Sequence, residues 1–313
     1  MDCPSDFSGI TFLGEIDDDT SHNSTSRLYY ISIVKYKKNQ YVYVCSIIVA
    51  LVYHIIRKNE LSFLWSSILM ELSEELSQLL QSNGASAVGI ADMQGVVPSS
   101  WSNCTIGISI GVALDTHIIS EINDGPTELY YAEYKRVNHI LNKLSYYTEQ
   151  FLQERGYLTI RLIATNADIN YETLSTRLPH KTIATRAGLG WIGKCALLIT
   201  RQFGSAIRIT TVLTNAKLPV GVPIESSDCG ECMACVNACP GHAPSGRNWR
   251  TTMSRDAFFN AFACQQMARE QTARRVFGGI DSSEVGIDDI ICGICIAACP
   301  WTQKYLRKVT CSF

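Results

Sequence analysis

Two cysteine runs near the C-terminus constrain this chain more than any other feature. Each run ends in a cysteine followed by proline, and the members are Cys229, Cys232, Cys235 and Cys239 with Pro240, then Cys292, Cys295 and Cys299 with Pro300. A C-x2-C-x2-C-x3-C-P spacing wraps three thiolates around one iron–sulfur cube and brings the fourth to a second cube. The first run therefore predicts a protein that binds two 4Fe-4S clusters.

The second run lacks its leading cysteine, because Asp289 stands three positions before Cys292. Cys264, alone between the runs, is the available substitute. Pairing as in bacterial two-cluster ferredoxins assigns four cysteines to each cluster. The predicted sets are Cys229, Cys232, Cys235 and Cys299 for the first cluster and Cys239, Cys264, Cys292 and Cys295 for the second.

Zinc and disulfides are the alternatives to clusters. Zinc takes four ligands in a closed tetrahedron, so half of these cysteines would have no role. The N-terminus does not resemble a cleavable signal peptide, and a reducing cytoplasmic setting without disulfides is expected. The remaining cysteines show no ligand spacing and are expected to be ordinary small apolar residues, namely Cys3, Cys45, Cys104, Cys195 and Cys311.

Length and composition indicate a globular chain with an unusual start. Its 313 residues, 46% hydrophobic and 18% charged, can bury a substantial core in two domains. A net charge of −2 gives no general reason to expect nucleic acid. Residues 1–69 are expected to be an extension outside the core, or even an upstream extension of the reading frame. Their apolar run, Tyr41 to Ile56, is shorter than the roughly 20 residues of a spanning helix, so a membrane anchor is not favoured.

Residues 70–218 alternate between helical and strand patterns. We predict helices at 70–82 and 128–154 and strands at 86–91, 105–114, 157–164, 196–200 and 207–213. This order predicts an α/β or α+β domain with a sheet covered by helices. Residues 219–313 would then form a separate, ferredoxin-like cluster domain.

A glycine-rich stretch lies in the centre of the first domain. Gly188, Gly190 and Gly193 match G-x-G-x-x-G, a pattern of dinucleotide-binding loops. No buried strand precedes them, and no acidic residue occurs from Cys195 to Ile224 to meet a ribose, so NAD is not favoured. The glycines do indicate that the backbone passes close to a packed element or to a large flat ligand.

The stretch from Ala187 to Lys194, reading AGLGWIGK, combines with both cysteine runs, Cys264 and the CPW of Cys299 to Trp301 to resemble the epoxyqueuosine reductase family over about residues 70–308. The resemblance implies a nitroreductase-like, cobalamin-binding domain related to reductive dehalogenases, followed by a double 4Fe-4S domain. It implies a corrinoid beneath the glycine-rich loop, reduced by a ferredoxin or flavodoxin through the clusters. Candidate corrinoid contacts are Arg186, Gly188, Gly190, Trp191, Gly193 and Lys194.

The chain also departs from that family in ways that bear on its substrate. The family's aspartate thirteen residues before the alanine of the AGLG motif, thought to donate a proton, corresponds to Leu174 here. The helical-repeat extension that many members carry for tRNA is absent, since the chain stops at Phe313. We therefore expect a small molecule or a modified base as substrate, and the sequence does not support tRNA as a partner.

The candidate proton donors lie near the glycine loop and in the long helix predicted at 128–154. His180 is the first candidate, because an imidazole can donate near neutral pH. Fixing the loop by hydrogen bonding is an equally open role for this ring. Tyr131 and Tyr134, with Tyr130, are further candidates, although core packing suits at least one of them. Two functions remain open: a cobalamin-dependent iron–sulfur reductase, and a non-catalytic ferredoxin-like carrier that docks a partner enzyme.

Overall fold

The computed structural model describes residue 67 and residues 69–164 and 169–310. The expectations for the N-terminal extension, including the apolar run from Tyr41 to Ile56, lie outside these residues. Within the described part, no helix combines the length and the apolar character needed to cross a membrane. The described residues from Leu69 onward form one compact unit.

Helices and short strands alternate along the chain. The helices are α1 (69–82), α2 (Thr116–Ser120), α3 (Glu128–Gln153), α4 (His180–Arg186), α5 (Ala234–Ala238), α6 (Ala261–Arg275), α7 (Ile294–Ala298) and α8 (Pro300–Thr310). The strands are β1 (Ala87–Asp92), β2 (Ile106–Ala113), β3 (Thr159–Leu162), β4 (Ile169–Asn170), β5 (Ser175–Thr176), β6 (Trp191–Ile192), β7 (Leu198–Ile199) and β8 (Ile207–Thr214).

A four-stranded antiparallel sheet in the order β1-β2-β8-β3 organises the first part of the chain. Helix α3 packs on this sheet through Val137, Leu141 and Leu144, whose i, i+4, i+7 spacing places them on one helix face. The hydroxyl of Thr127 caps the helix by accepting a hydrogen bond from the Tyr130 amide at 3.0 Å. β4–β5 and β6–β7 are two-stranded antiparallel ribbons outside the sheet.

The sheet and the cysteine-rich segment share one hydrophobic core. Ile291, Ile296 and Leu306 belong to the same buried cluster as Leu141 and Ile108. The amide of Ser205 donates to the hydroxyl of Thr302 at 3.0 Å, which fastens the two segments together. The boundary near residue 218 stays a prediction, because both predicted domains contribute to this core.

The predicted elements are largely confirmed where apolar residues follow a clear period. Helices at 70–82 and 128–154 and strands at 86–91, 105–114 and 207–213 match α1, α3, β1, β2 and β8 within a residue or two. The predicted strands at 157–164 and 196–200 are shorter in the structure, as β3 and β7. The architecture is a mixed α/β fold with helices packed on an antiparallel sheet.

Candidate metal centre

The four cysteines predicted for the first cluster line one small cavity of about 60 Å³. Cys235 lies on α5 and Cys299 caps the C-terminal end of α7, so two short helices bring distant parts of the chain together. A turn whose Cys232 amide donates to the carbonyl of Cys229 at 3.0 Å presents the other two thiols. The four cysteines that the spacing groups together therefore line one cavity, and their role as cluster ligands stays a prediction.

Hydrogen-bond donors surround the sulfurs of this cavity. The indole nitrogen of Trp191 donates to Sγ of Cys229 at 3.4 Å, and its ring packs edge-to-face on Trp301 with centroids 5.3 Å apart. Burial raises the pKa of the Cys299 thiol, while the amides of Trp301 and Thr302 oppose that rise by donating to its sulfur. Donors aimed at sulfur stabilise thiolates, so the cavity suits an iron–sulfur cube.

Three of the four cysteines predicted for the second cluster, Cys239, Cys264 and Cys292, also approach one another. Burial, with smaller contributions from the neighbouring sulfurs of Cys292 and Cys239, raises the pKa of the Cys264 thiol to about 11. Burial likewise raises the pKa of Cys292, opposed by a hydrogen bond from the Ile294 amide. Cys264 therefore lies close to Cys292 and Cys239, as a substitute for the cysteine missing from the second run must.

Among the described residues, no three His, Cys, Asp or Glu side chains converge closely enough to hold a single metal ion. The thiolates around one ion all lie about 2.3 Å from the same centre. Those around a cube bind four separate irons and stand further apart.

A second, much larger cavity of about 800 Å³ borders the first, and Lys194 lines both. Lys194 is 3% exposed, and its ammonium contacts only Sδ of Met233, at 3.6 Å, among the described residues. Oδ1 of Asn248, also in the lining, is buried with no hydrogen-bond partner in the described part of the chain. Arg247 and Arg250 add positive charge at the same wall.

This second cavity fits part of a corrinoid. Its volume lies within the range of small-molecule sites. A buried ammonium without a carboxylate suits a phosphate, and a buried amide oxygen without a donor suits an amide N–H. The edge of a corrinoid carries both kinds of group, and Lys194 and Asn248 would hold it beside the first cluster.

The glycine-rich loop serves the packing of the chain itself. A Cβ on Gly190 would lie 2.1 Å from the carbonyl oxygen of Ile199, and one on Gly188 would lie 2.7 Å from that of Val222. Gly193 similarly faces the Ile199 side chain at 2.8 Å. The sequence left open whether these glycines lie against another part of the chain or against a flat ligand, and the structure shows close packing against the chain. Their contacts with a corrinoid stay predictions.

His180 is held as a neutral ring. One ring nitrogen, Nδ1, lies 2.9 Å from the hydroxyl of Thr211, and the other, Nε2, lies 3.2 Å from the carbonyl of Ile163. Burial lowers the pKa of His180 to about 4, outweighing the hydrogen bond to Ile163. These two contacts hold the ring in place, in agreement with a role in fixing the loop. Its role as a proton donor stays a prediction.

Tyr130 and Tyr131 of α3 face the second cysteine run. The hydroxyl of Tyr131 donates to Asp289 at 2.8 Å, and burial followed by this bond raises the pKa of Tyr131. Tyr130 is buried, and a Cβ on Gly293 would meet its ring at 2.8 Å. Arg208 stacks 3.9 Å above the ring of Tyr134. Arg208 also influences the charge of Tyr130 and of His180. None of the catalytic candidates is among the described residues lining the larger cavity.

Two residues of the site carried no usable signal in the sequence. Cys195 has no ligand spacing, yet it lines the small cavity with the four cluster cysteines. Asn248 belongs to no motif, and only its position against the cavity reveals its free oxygen. Arg186, a predicted corrinoid contact, donates from Nε to the carbonyl of Asp92 at 2.6 Å, and its contact with a corrinoid stays a prediction.

Comparisons with known proteins find similarity to epoxyqueuosine reductases and to a reductive dehalogenase. No protein-family profile matches the chain. The chain is similar to the epoxyqueuosine reductase of Xanthomonas campestris, with 27% identity over 217 residues that cover 67% of this chain and 54% of that protein. The chain spans about half the length of the first curated relatives it matches.

Solved structures extend the likeness to the fold. A B12-dependent reductive dehalogenase has a TM-score of 0.52 at 15% identity, covering 73% of this chain and 32% of that one, so the two share a fold. An epoxyqueuosine reductase solved with an epoxyqueuosine-modified tRNA stem loop has a TM-score of 0.48 at 19% identity, covering 74% of this chain and 66% of that one. Because the matches cover only about half of the relatives' length, the end of this chain carries no argument against tRNA, and that expectation is not supported.

Proposed function

We propose that the protein is a cobalamin-dependent iron–sulfur reductase of the epoxyqueuosine reductase type. The observation that carries this proposal is the adjacency of two cavities through one side chain. The four cysteines predicted for the first cluster and Cys195 line the smaller cavity, and Lys194 lines both this cavity and the larger, basic one. When bound, the two clusters would supply single electrons and the corrinoid a strongly reducing cobalt centre.

The residues of the chain hold, orient and insulate these groups. Cys229, Cys232, Cys235 and Cys299 bind the first cluster, and Cys239, Cys264, Cys292 and Cys295 bind the second. Trp191 and Trp301 wall the first cluster off from water, since Trp191 is 1% exposed. Lys194 binds an anionic group in the larger cavity and is kept from bulk water by burial, which strengthens the attraction.

The proposed substrate is a modified base or a related small molecule. A modified base would be presented as part of a tRNA. Leu174 occupies the position of the family's aspartate, on the turn between β4 and β5. Arg255 fixes this turn by donating to the carbonyls of Leu174 at 2.6 Å and Thr173 at 2.8 Å. An aliphatic side chain cannot donate a proton, so the protonation step differs from that of relatives with the aspartate.

A carrier that only passes electrons is the other candidate, and the substitution at Leu174 is the observation that favours it. Against it stands the larger cavity of about 800 Å³ with its buried ammonium. An electron carrier has no need of such a cavity, because its partners meet it at the surface. The reductase is therefore preferred, with a reduced ferredoxin or flavodoxin as electron donor.

Anaerobic reconstitution tests the proposal. The purified full chain is supplied with iron, sulfide and cobalamin, and both metal content and the visible spectrum are recorded. About eight irons per chain, as two cubes require, together with a protein-bound corrinoid spectrum are expected. Iron without corrinoid uptake would establish the carrier, and zinc alone would overturn both functions.

A matched pair of lysine variants makes this test specific to the larger cavity. Lys194→Met keeps the length of the side chain but removes the charge, and it should weaken cobalamin binding at least tenfold. Lys143→Met removes a lysine from the exposed face of α3 and should bind cobalamin as the wild type does. Equal binding by both variants would place the corrinoid elsewhere.

A further inference from the structure

The turn between β6 and β7 is buried against both cysteine runs. Lys194, Cys195 and Ala196 are 3%, 4% and 5% exposed, although turns between strands normally lie at the surface. Cys195 lines the small cavity and packs in one hydrophobic cluster with Cys299 and Cys295. Its thiol thus meets a predicted ligand of each cluster.

Hydrogen bonds to the backbone of Ala196 hold the turn that contains Cys195. Ala196, the next residue, has a φ of +58°, a left-handed conformation that costs a residue with a Cβ on the order of 1 kcal/mol. Nζ of Lys181 donates to the Ala196 carbonyl at 2.6 Å, and the Ala196 amide donates to Gly193 at 2.9 Å. Such strain persists where neighbours hold it, which makes this turn a candidate for a specific role.

Cys195 packs in one cluster with a predicted ligand of each iron–sulfur cluster, Cys235 of the first and Cys295 of the second, and it lines the small cavity together with Cys235. A thiol carries one proton and can donate it to one acceptor at a time. Both neighbours become thiolates once they bind iron, and both can then only accept.

We propose that Cys195 is a positioning residue that donates its S–H to Cys235 or to Cys295 and so raises the reduction potential of whichever cluster it faces. The inference goes beyond the proposed function and rests on it only for the presence of two clusters. When an electron leaves one cluster and reduces the other, the proton stays on Sγ of Cys195 and changes its acceptor. No covalent bond forms or breaks.

The physical reason is the extra negative charge of a reduced cluster. A hydrogen bond to a ligand sulfur stabilises that charge, and hydrogen bonds to sulfur are among the factors that set cluster potentials. Because Cys195 neighbours ligands of both clusters, the same proton can stabilise the added electron on either cluster.

Redox titration of the anaerobically reconstituted full chain, followed by electron paramagnetic resonance, tests this role. Cys195→Ala should lower the potential of both clusters while about eight irons remain bound. Losing one hydrogen bond to a charged group corresponds to about tenfold in the oxidation equilibrium, or about 59 mV for one electron. Cys195→Ser keeps a donor and should recover most of the shift.

Cys104→Ala provides the matched control. Cys104 is another buried thiol, but it packs with Met93 and Leu213 and not with the cysteine runs. This variant should therefore leave both potentials unchanged. Potentials in Cys195→Ala equal to those of Cys104→Ala would overturn the proposal, as would loss of iron in Cys195→Ser and Cys195→Ala alike, because Cys195 would then be a ligand. Absence of clusters in the wild type would instead refute the proposed function.

Discussion

Asp289 forms an ion pair with Lys135, with Oδ1 and Nζ 2.5 Å apart, at the sequence position where ferredoxin spacing would place a cysteine. The hydroxyl of Tyr131 donates to the same carboxylate oxygen at 2.8 Å. Burial alone would raise the pKa of Asp289, but the hydrogen bonds from Lys135 and Tyr131 outweigh it and leave the pKa lowered. The position of the missing ligand is therefore occupied by a contact with α3.

This contact predicts that a cysteine at residue 289 will not serve the second cluster. The double variant Asp289→Cys with Cys264→Ala should bind about four irons per chain, as one cube requires. The reason is that the residue-289 side chain contacts α3, whereas Cys264 meets Cys239 and Cys292. Iron analysis against Cys264→Ala alone gives the comparison, and recovery of about eight irons would contradict this prediction.

Cys264 itself is expected to be a ligand of one cluster only. Cys264→Ala should lose or degrade the second cluster and keep the first, because the first is lined by other cysteines. Electron paramagnetic resonance of the reduced protein should then show one cluster in place of two coupled ones. Cys104→Ala, which removes a buried thiol elsewhere, should retain both. Two unchanged clusters in Cys264→Ala would show that the assignment of ligands is wrong.

Gly190→Ala should disrupt the β6–β7 ribbon. The new Cβ would lie 2.1 Å from the Ile199 carbonyl oxygen, a contact that backbone must move to relieve. We expect a loss of at least about 3 kcal/mol in the free energy of unfolding. Gly156→Ala, where a Cβ meets nothing within 4 Å, should cost only on the order of 1 kcal/mol for its positive φ. Denaturant unfolding without oxygen measures both, and equal losses would contradict the packing role.

His180 should make the stability of the protein depend on pH. Its pKa is about 4 in the folded protein, because burial disfavours the charged ring, and about 6.5 in the unfolded chain. Between these values the unfolded chain binds more protons, so stability is full above about pH 6.5 and declines as the pH falls towards 4. From pH 7 to pH 5 this ring should account for a loss of about 1–2 kcal/mol.

Unfolding experiments at pH 7 and pH 5 check this dependence. His180→Gln cannot take up the proton, so its stability should fall less between the two pH values than that of the wild type. His139→Gln, at an exposed position of α3, should follow the wild type. An undiminished pH dependence in His180→Gln would show that the ring is accessible to protons in the folded state.

Local periodicity explains which parts of the fold the sequence predicts well. Helix α3 has apolar residues at Val137, Leu141 and Leu144, and β8 is rich in β-branched residues, so both elements follow from neighbouring residues alone. The ribbon of β4 and β5 has no such pattern, since its strands have two residues each and their pairing depends on the turn held by Arg255.

Contacts between distant residues explain what the sequence leaves open at the site. Cysteine spacing suffices to group Cys229, Cys232 and Cys235, because a tight turn joins them. Nothing in the spacing reveals that Cys195 joins this group, since more than thirty residues separate it from Cys229 and the β6–β7 turn brings it there. The glycine motif is ambiguous for the same reason, because its partner Ile199 lies across a ribbon.

The core shared by the sheet and the cysteine-rich segment would keep the distances between the proposed redox centres fixed. Ile291, Ile296 and Leu306 pack into the same interior as the residues of α3 and β2, so a hinge between these parts would expose apolar surface to water. Separations between redox centres within this part of the chain would then stay constant through each cycle. Under the proposed function, electrons would therefore pass between these centres without a change in their distances.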